Sequence, residues 1–145
     1  MKNFGKKAWM LPQPVLIIGT YDENGKPNAM NASDYLGIVS QKNAPDKMAK
    51  TGWTVVRSEN VDAPVFADFP MTIECRVKEK QKESETGCYI IAEIVNILCD
   101  EKYLAEDGNP DVEKMNLITL DSIHMGYIQL GSRVGNAFSD GKKLK

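Results

Sequence analysis

The residues best suited to hold a ligand lie in one stretch, Pro14–Ala32, with the sequence PVLIIGTYDENGKPNAMNA. Its return arm, Asn28-Ala29-Met30-Asn31-Ala32, mixes small side chains with amides. Small residues let a ligand approach the backbone closely, and amides offer donors to an anion or to a planar heteroaromatic ring. The same residues also describe an ordinary hairpin with a polar exit. Downstream, Lys42, Lys47 and Lys50 can form a rim for an anion, or simply a solvated face. Glu93, set in an apolar run, can hydrogen-bond a ligand ring or sit as a carboxylate at a sheet rim or interface.

Other chemistries find little support. His124 is the single histidine, so neither a metal-ligand cluster nor a Ser/His/Asp or Cys/His arrangement is expected, and no catalytic residue is assigned. The acidic turn Glu106–Asp111 lacks the ligand spacing and terminal Glu of an EF-hand. Glycines at 126, 131 and 135 do not form a dinucleotide fingerprint. Cys75, Cys88 and Cys99 are odd in number and form no CxxC; buried thiols in a reducing, cytoplasmic setting are expected. The formal charge of −2 gives no basic excess for nucleic acid. No apolar run approaches a membrane span, and the basic N-terminal stretch is too briefly apolar before Pro12 for a signal peptide.

These residues need strands to position them. Val15–Ile18 reads as a short buried strand, and Asn24-Gly25 as a hairpin turn whose two residues both tolerate positive φ. Ser33 can cap a short helix over Tyr35–Val39, and Pro45-Asp46 can open a second ending at Gly52. Thr54–Arg57 is β-prone, while VFADF between Pro64 and Pro70 reads as a helical turn or bend. In Met71–Val77 the period of two sends Met71, Ile73, Cys75 and Val77 to one face and Thr72, Glu74 and Arg76 to the other, as in a half-buried strand. Lys78–Thr86 reads as a solvated connection. Cys88–Cys99 is the longest strand, apolar on both faces, as where a strand is covered outside as well as inside. Leu117–Leu120 is a further strand. At 145 residues, with 42% hydrophobic and 26% charged, the chain is expected to form one domain over 1–145.

Five stretches taken in order resemble the flavoredoxin and flavin-reductase-like family of FMN-binding split β-barrels. They are Pro12–Val15 with Ile18–Asp22 and Gly25–Met30; Asp34–Ser40 with Asp46–Met48; Val61–Pro64 with Phe69-Pro70 and Glu74-Cys75; Ala92–Val95 with Asp107–Asp111; and Tyr127–Gly131 with Gly135–Ser139. The resemblance implies a mainly β fold with short helices, an FMN-binding split barrel. It implies FMN as cofactor, held by Asn28, Ala29, Met30, Asn31 and Ala32 at ring or phosphate. Lys42 and Lys47 would serve the phosphate, and Phe138 the ring face.

Three departures bear on that expectation. The family carries a further segment of two strands and a helix between the hairpin and the Asp-Tyr-x-Gly stretch, whereas Ala32 here runs directly into Ser33-Asp34-Tyr35. That segment carries most phosphate contacts in the family, so the barrel is expected to be incomplete and FMN weakly held. Gln41 stands where a Gly is usual, and Asn136 where a Lys is usual. The implied activity is electron transfer through FMN or flavin reduction, with a nicotinamide nucleotide or redox protein as partner and a homodimer as assembly. The alternative is a cofactor-free or weakly binding structural or dimerisation remnant of the barrel.

Overall fold

The computed structural model describes the chain except residues 4, 8, 10, 11, 32–38, 41, 83–86 and 145, and except the side chains of residues 31, 143 and 144. The helix expected over Tyr35–Val39, and the junction after Ala32, therefore lie almost wholly outside the described residues. The described chain is mainly β with short helical turns, arranged as a three-stranded sheet and three two-stranded pairs. It divides into two compact units, Leu16–Pro110 and Met1–Val15 with Asp111–Lys145.

In the larger unit, β2 (Ile17–Tyr21) pairs antiparallel with β3 (Pro27–Asn31), Gly19 opposite Ala29. The strand begins two residues later than the apolar run suggests, and Ile18 points outward, 52% exposed. The hairpin turn also differs from expectation. Positive φ falls on Gly25 (73°) and not on Asn24. The reason is Asp22: its Oδ1 accepts from the backbone N–H of Asn24 and of Lys26, both at 2.9 Å, and its carbonyl accepts from Gly25 N–H at 2.9 Å. An aspartate that folds back on its own turn favours a longer loop closed by one left-handed glycine.

Helix α1 (Lys47–Thr51) starts after Asp46 and stops at Gly52, which takes the left-handed cap at φ 70° and donates to the Ala49 carbonyl. Strands β4 (Val55–Arg57) and β5 (Pro64–Phe66) form the next hairpin. Pro64–Phe66 is a buried strand, so Val65 and Phe66 depart from the helical turn or bend expected for VFADF, while Ala67–Phe69 does form a turn, closed by Phe69 N–H donating to the Phe66 carbonyl at 3.2 Å. Phe66 joins Ala29 and Met48 in that core, with Ile17, Trp53, Val55 and Phe69 packed around them. Trp53 meets Phe69 edge-on at 4.7 Å between ring centroids and Phe66 at 5.6 Å, the offset geometry aromatic quadrupoles favour.

Strands β6 (Met71–Lys82) and β7 (Cys88–Cys99) form a long ribbon. β6 runs well past Val77, into the stretch expected as a connection. Pairing shifts at Glu74/Cys75 and at Val77/Glu79, which makes Val95 and Lys78 the extra residues of two bulges on opposite strands. Lys78 Nζ then reaches Glu93 at 2.7 Å. The two faces expected for Met71–Val77 are present, and the covered one is polar: Met71, Ile73 and Val77 are exposed, while Glu74 is 3% exposed. Cys75 and Cys88 are exposed and Cys99 half-buried, against the expectation of buried thiols: Cys75 shares the exposed face of Ile73 and Val77, and Cys88 lies at the exposed start of β7.

Glu74 owes its burial to polar partners. Its Oε2 accepts from Asn60 Nδ2 at 2.8 Å and from Asn96 Nδ2 at 2.7 Å, Asn96 being its partner across the ladder. The Ser58 hydroxyl faces the same carboxylate, and its oxygen accepts the backbone N–H of Asn60 and Val61 at 3.0 Å. One carboxylate thus ties the β4–β5 loop to the β6–β7 ribbon.

In the smaller unit, β1 (Gln13–Pro14) pairs with β8 (Ile118–Asp121), which pairs with β9 (Gly126–Gln129). Thr119 Oγ1 accepts from Gln13 N–H at 2.8 Å and donates to the Gln13 carbonyl at 2.9 Å. Asp121 organises the β8–β9 turn, its carboxylate accepting from Ile123 N–H at 2.9 Å and lying 2.7 Å from His124 Nδ1.

The Ser58 hydroxyl and the Asn96 and Asn60 amides hold the Glu74 carboxyl below its ordinary value of 4.5. A depressed folded value means the stabilisation is complete above the unfolded value and is lost as pH falls through the folded one. Glu74→Gln is therefore expected to lower the unfolding free energy at neutral pH by about 1–3 kcal/mol and to flatten the acid limb of the stability curve. Denaturant titrations of both proteins from about pH 7 to 3 check this; parallel curves would refute it.

Candidate functional site

Strand β3 carries four of the residues expected to meet a ligand. Ala29 is 1% exposed and faces the core with Met48 and Phe66. Its alternation sends Asn28 and Met30 the other way, and Met30 is 44% exposed. Asn28 is half-buried, and its Oδ1 is covered by the chain with no hydrogen-bond partner. Asn31 ends the strand opposite Ile17, and its side chain, like the whole of Ala32, lies outside the described residues.

Helix α1 packs against β3, which brings Lys47 to the same neighbourhood. The apolar anchor is Met48, which enters the core beside Ala29. Lys47 is itself 2% exposed, and its Nζ donates to the Val39 carbonyl at 3.1 Å. A lysine so placed ties the preceding loop to the helix, and to meet a phosphate it would have to leave that carbonyl. Lys42 is different: it is exposed, on a turn where Ser40 accepts its backbone N–H at 3.2 Å through Oγ and those of Asn43 and Ala44 at 3.0 Å through its carbonyl. Lys50 pairs with Asp46 at 3.0 Å, and that bond holds the Asp46 carboxyl below its ordinary value.

Sequence patterning does not mark Lys26, yet its Nζ donates to the Pro45 carbonyl, linking the hairpin turn to the loop before α1. Nothing in the sequence distinguishes it from other exposed lysines. Glu93 pairs with Lys78 on the ribbon. Phe138 belongs to the smaller unit, where it is 100% exposed at φ 61°. The structure thus brings together Asn28, Ala29, Met30, Lys42 and Lys47 within one unit.

Two shallow hollows open elsewhere: one of about 360 Å³ among Glu113, Asn116, Gln129 and Gly131, one of about 580 Å³ among Arg57, Ser58, Asn60, Cys75 and Arg76. Neither takes in a residue expected to bind the cofactor. Among the described residues no group of three or more His, Cys, Asp or Glu side chains could hold a metal ion, and no helix is long and apolar enough to cross a membrane.

With this geometry in view, comparison with solved structures defines the class. The fold is that of split-barrel flavin proteins, shared with a Shewanella frigidimarina protein with a split barrel domain (TM-score 0.60, 17% identity, 86% of each chain). Nearer likenesses narrow it. Flavoredoxin of Desulfovibrio vulgaris (Miyazaki F) matches with a TM-score of 0.87 and 27% identity over 97% of this chain and 99% of that one. Flavoredoxin from Methanosarcina acetivorans matches with a TM-score of 0.84 and 22% identity over the whole of both chains. The chain is flavoredoxin-like in fold. No protein-family model and no curated protein matches it by sequence.

The burial of Lys47 gives it a role in the fold that Lys42 lacks. Lys47→Ala removes a packed aliphatic stem and leaves the Val39 carbonyl without this donor, and is expected to cost about 1–3 kcal/mol of stability. Lys42→Ala is expected to change stability by less than about 0.5 kcal/mol. Urea unfolding of the two variants would separate them, and equal losses would contradict the placement of Lys47.

Proposed function

We propose that the chain binds FMN on the outer side of β3 and acts in electron transfer or flavin reduction. The observation that carries this reading is the likeness to the Desulfovibrio flavoredoxin along nearly the whole of both chains. Strand β3 is the expected ligand strand, and Asn28 and Met30 lie on its side away from Ala29 and the core.

The residues present fit the ring better than the phosphate. Asn28 would read the ring edge, exposed Met30 would lie against its face, and the backbone of Asn31 would close the strand end. Phe138, expected at the ring face, belongs to the smaller unit and is given no place in this site. For the phosphate, Lys42 is the exposed cation, a point charge on a flexible stem, while Lys47 holds Val39. A bound flavin supplies reversible electron acceptance, and the protein supplies position and electrostatics. A nicotinamide nucleotide or a redox protein would be the electron partner.

A homodimer is part of the same reading. Tyr89, Ile90, Ile91, Ile94 and Ile97 are each more than 50% exposed along β7. A contiguous apolar strand of this kind marks an interaction surface. A second copy offers an identical strand, so an isologous contact covers both at once.

Riboflavin and FMN titrations test the cofactor assignment. Asn28→Ala is expected to weaken both by about 0.5–1.5 kcal/mol, since it meets only the ring. Lys42→Ala is expected to weaken FMN by about 1.5–3 kcal/mol and riboflavin hardly at all. FMN itself is expected to bind with a micromolar constant; a nanomolar one would show that the phosphate is held by more than Lys42. No flavin binding by the parent would favour the cofactor-free structural reading. Sedimentation at micromolar concentration should show a dimer, and Ile94→Lys a monomer; a monomeric parent would refute the assembly.

A further inference from the structure

We propose that two copies of the chain meet through one face of the β6–β7 ribbon, sheet on sheet with strands antiparallel, so that Cys75 of each copy faces its counterpart across a two-fold axis. The inference rests on the homodimer reading above and gives it a face and a direction. Residues opposite each other in a ladder share a face. On the face turned away from Glu74 lie Ile73, Val77, Ile90, Ile94 and Ile97, all 44–61% exposed. Cys75, opposite Ile94, stands in the middle of them. The other face holds Glu74, Arg76 and Glu93, and there Asn60 of the β4–β5 loop bonds the Glu74 carboxylate at 2.8 Å. Ile91 and Tyr89, opposite Glu79 and Gln81, also fall on that second face.

Three observations make the occupant a second copy. The first is area. Half of five large aliphatic residues is several hundred Å² in one strip, a large share of the roughly 800 Å² that each partner gives to a stable interface. The second is symmetry. The strip is centred on the Cys75–Ile94 pair, so a two-fold axis lying across the strands there lays strip on strip, and each aliphatic residue meets another. Facing sheets stand about 10 Å apart, which brings the short Cys75 side chains together at the axis. The third is charge. From Met71 and Cys99 to Val77 and Ala92 this face carries no charged side chain. Lys80 and Lys82, opposite Ile90 and Cys88, close one end. The other end is acidic. Asp100, whose N–H donates to the Pro70 carbonyl at 3.0 Å, pairs with Lys102 at 2.8 Å, which leaves Glu101 and Asp68 in excess. Antiparallel copies lay each lysine end towards the other's acidic end, whereas parallel copies would stack lysine on lysine.

Cross-linking of the full chain with one cysteine at a time, the other two replaced by serine, tests this beside sedimentation of the same samples. Diamide takes up the two electrons and two protons of the paired thiols. The chain keeping Cys75 should become a covalent dimer, and the chains keeping only Cys88 or only Cys99 should not. With all three cysteines present, Ile94→Lys should give a monomer, and Ile91→Lys, on the opposite face, should remain dimeric. Lys82→Ala should loosen the dimer by about two- to tenfold, and added salt should loosen the parent more than this variant. A dimer that cross-links through Cys88 or Cys99 and not Cys75, that survives Ile94→Lys and not Ile91→Lys, or that tightens in Lys82→Ala would overturn this arrangement while leaving the homodimer intact. A monomeric parent would remove the homodimer reading, and this proposal with it.

Discussion

Phe66 leaves no room for a side chain at residue 19. A Cβ on Gly19 would lie 2.7 Å from Phe66 Cε2 and 3.2 Å from Pro64 Cγ. Only a glycine lets the β4–β5 hairpin press so closely on β2, and the rest of the larger unit depends on that approach. Phe66 then reaches Ala29 across the β2–β3 pair, Met48 fills the space beside them, and Trp53 and Phe69 close the edge. Ala29 facing inward fixes the register of β3. Because a strand alternates, that choice turns Asn28 and Met30 to the opposite side. Which side chains β3 turns away from the core is set by packing on its core side.

A core of this size covers little else, and the consequence appears at the β6–β7 ribbon. There the best-buried residue is a carboxylate, and the aliphatic residues face out. Such an inversion is stable only because Glu74 meets amide donors from Asn60 and Asn96, which replace water it has lost. The bulges shape the other face. The extra residue Val95 brings Ile94, opposite Cys75, to the same side as Ile97, opposite Ile73, and the alternation carries Ala92 and Ile90 to that side as well, with Ile91 on the other. The ribbon thus gathers its aliphatic residues on the face turned away from Glu74.

Much of this is legible in the sequence, and the failures have physical causes. The hairpin at Asp22–Lys26, the helix stop at Gly52 and the full extent of β7 follow from turn chemistry and local apolar runs. Burial is the weaker inference. Period two in Met71–Val77 correctly separates two faces, yet it cannot say which one is covered, since that depends on Asn60 and Asn96 arriving from elsewhere. VFADF is a turn only in its second half, Ala67–Phe69; the pull of the aromatic core makes Val65 and Phe66 the end of a strand. Lys42 and Lys47 are alike in sequence, both in a lysine-rich loop and helix start. Only the position of the Val39 carbonyl separates an exposed cation from a buried tether.

Glu74 and Asn28 both place a side-chain oxygen out of solvent on a strand of the larger unit. Glu74 Oε2 is met by two amide donors, so the carboxylate ties two elements of the fold together. Its second oxygen, Oε1, and Asn28 Oδ1 are both covered without a partner, and each subtracts about 1–3 kcal/mol from what the surrounding contacts contribute. The fold carries both because the contacts beside them, Ala29 against the aromatic core and Asn96 across the ladder, fix the strands on which they lie.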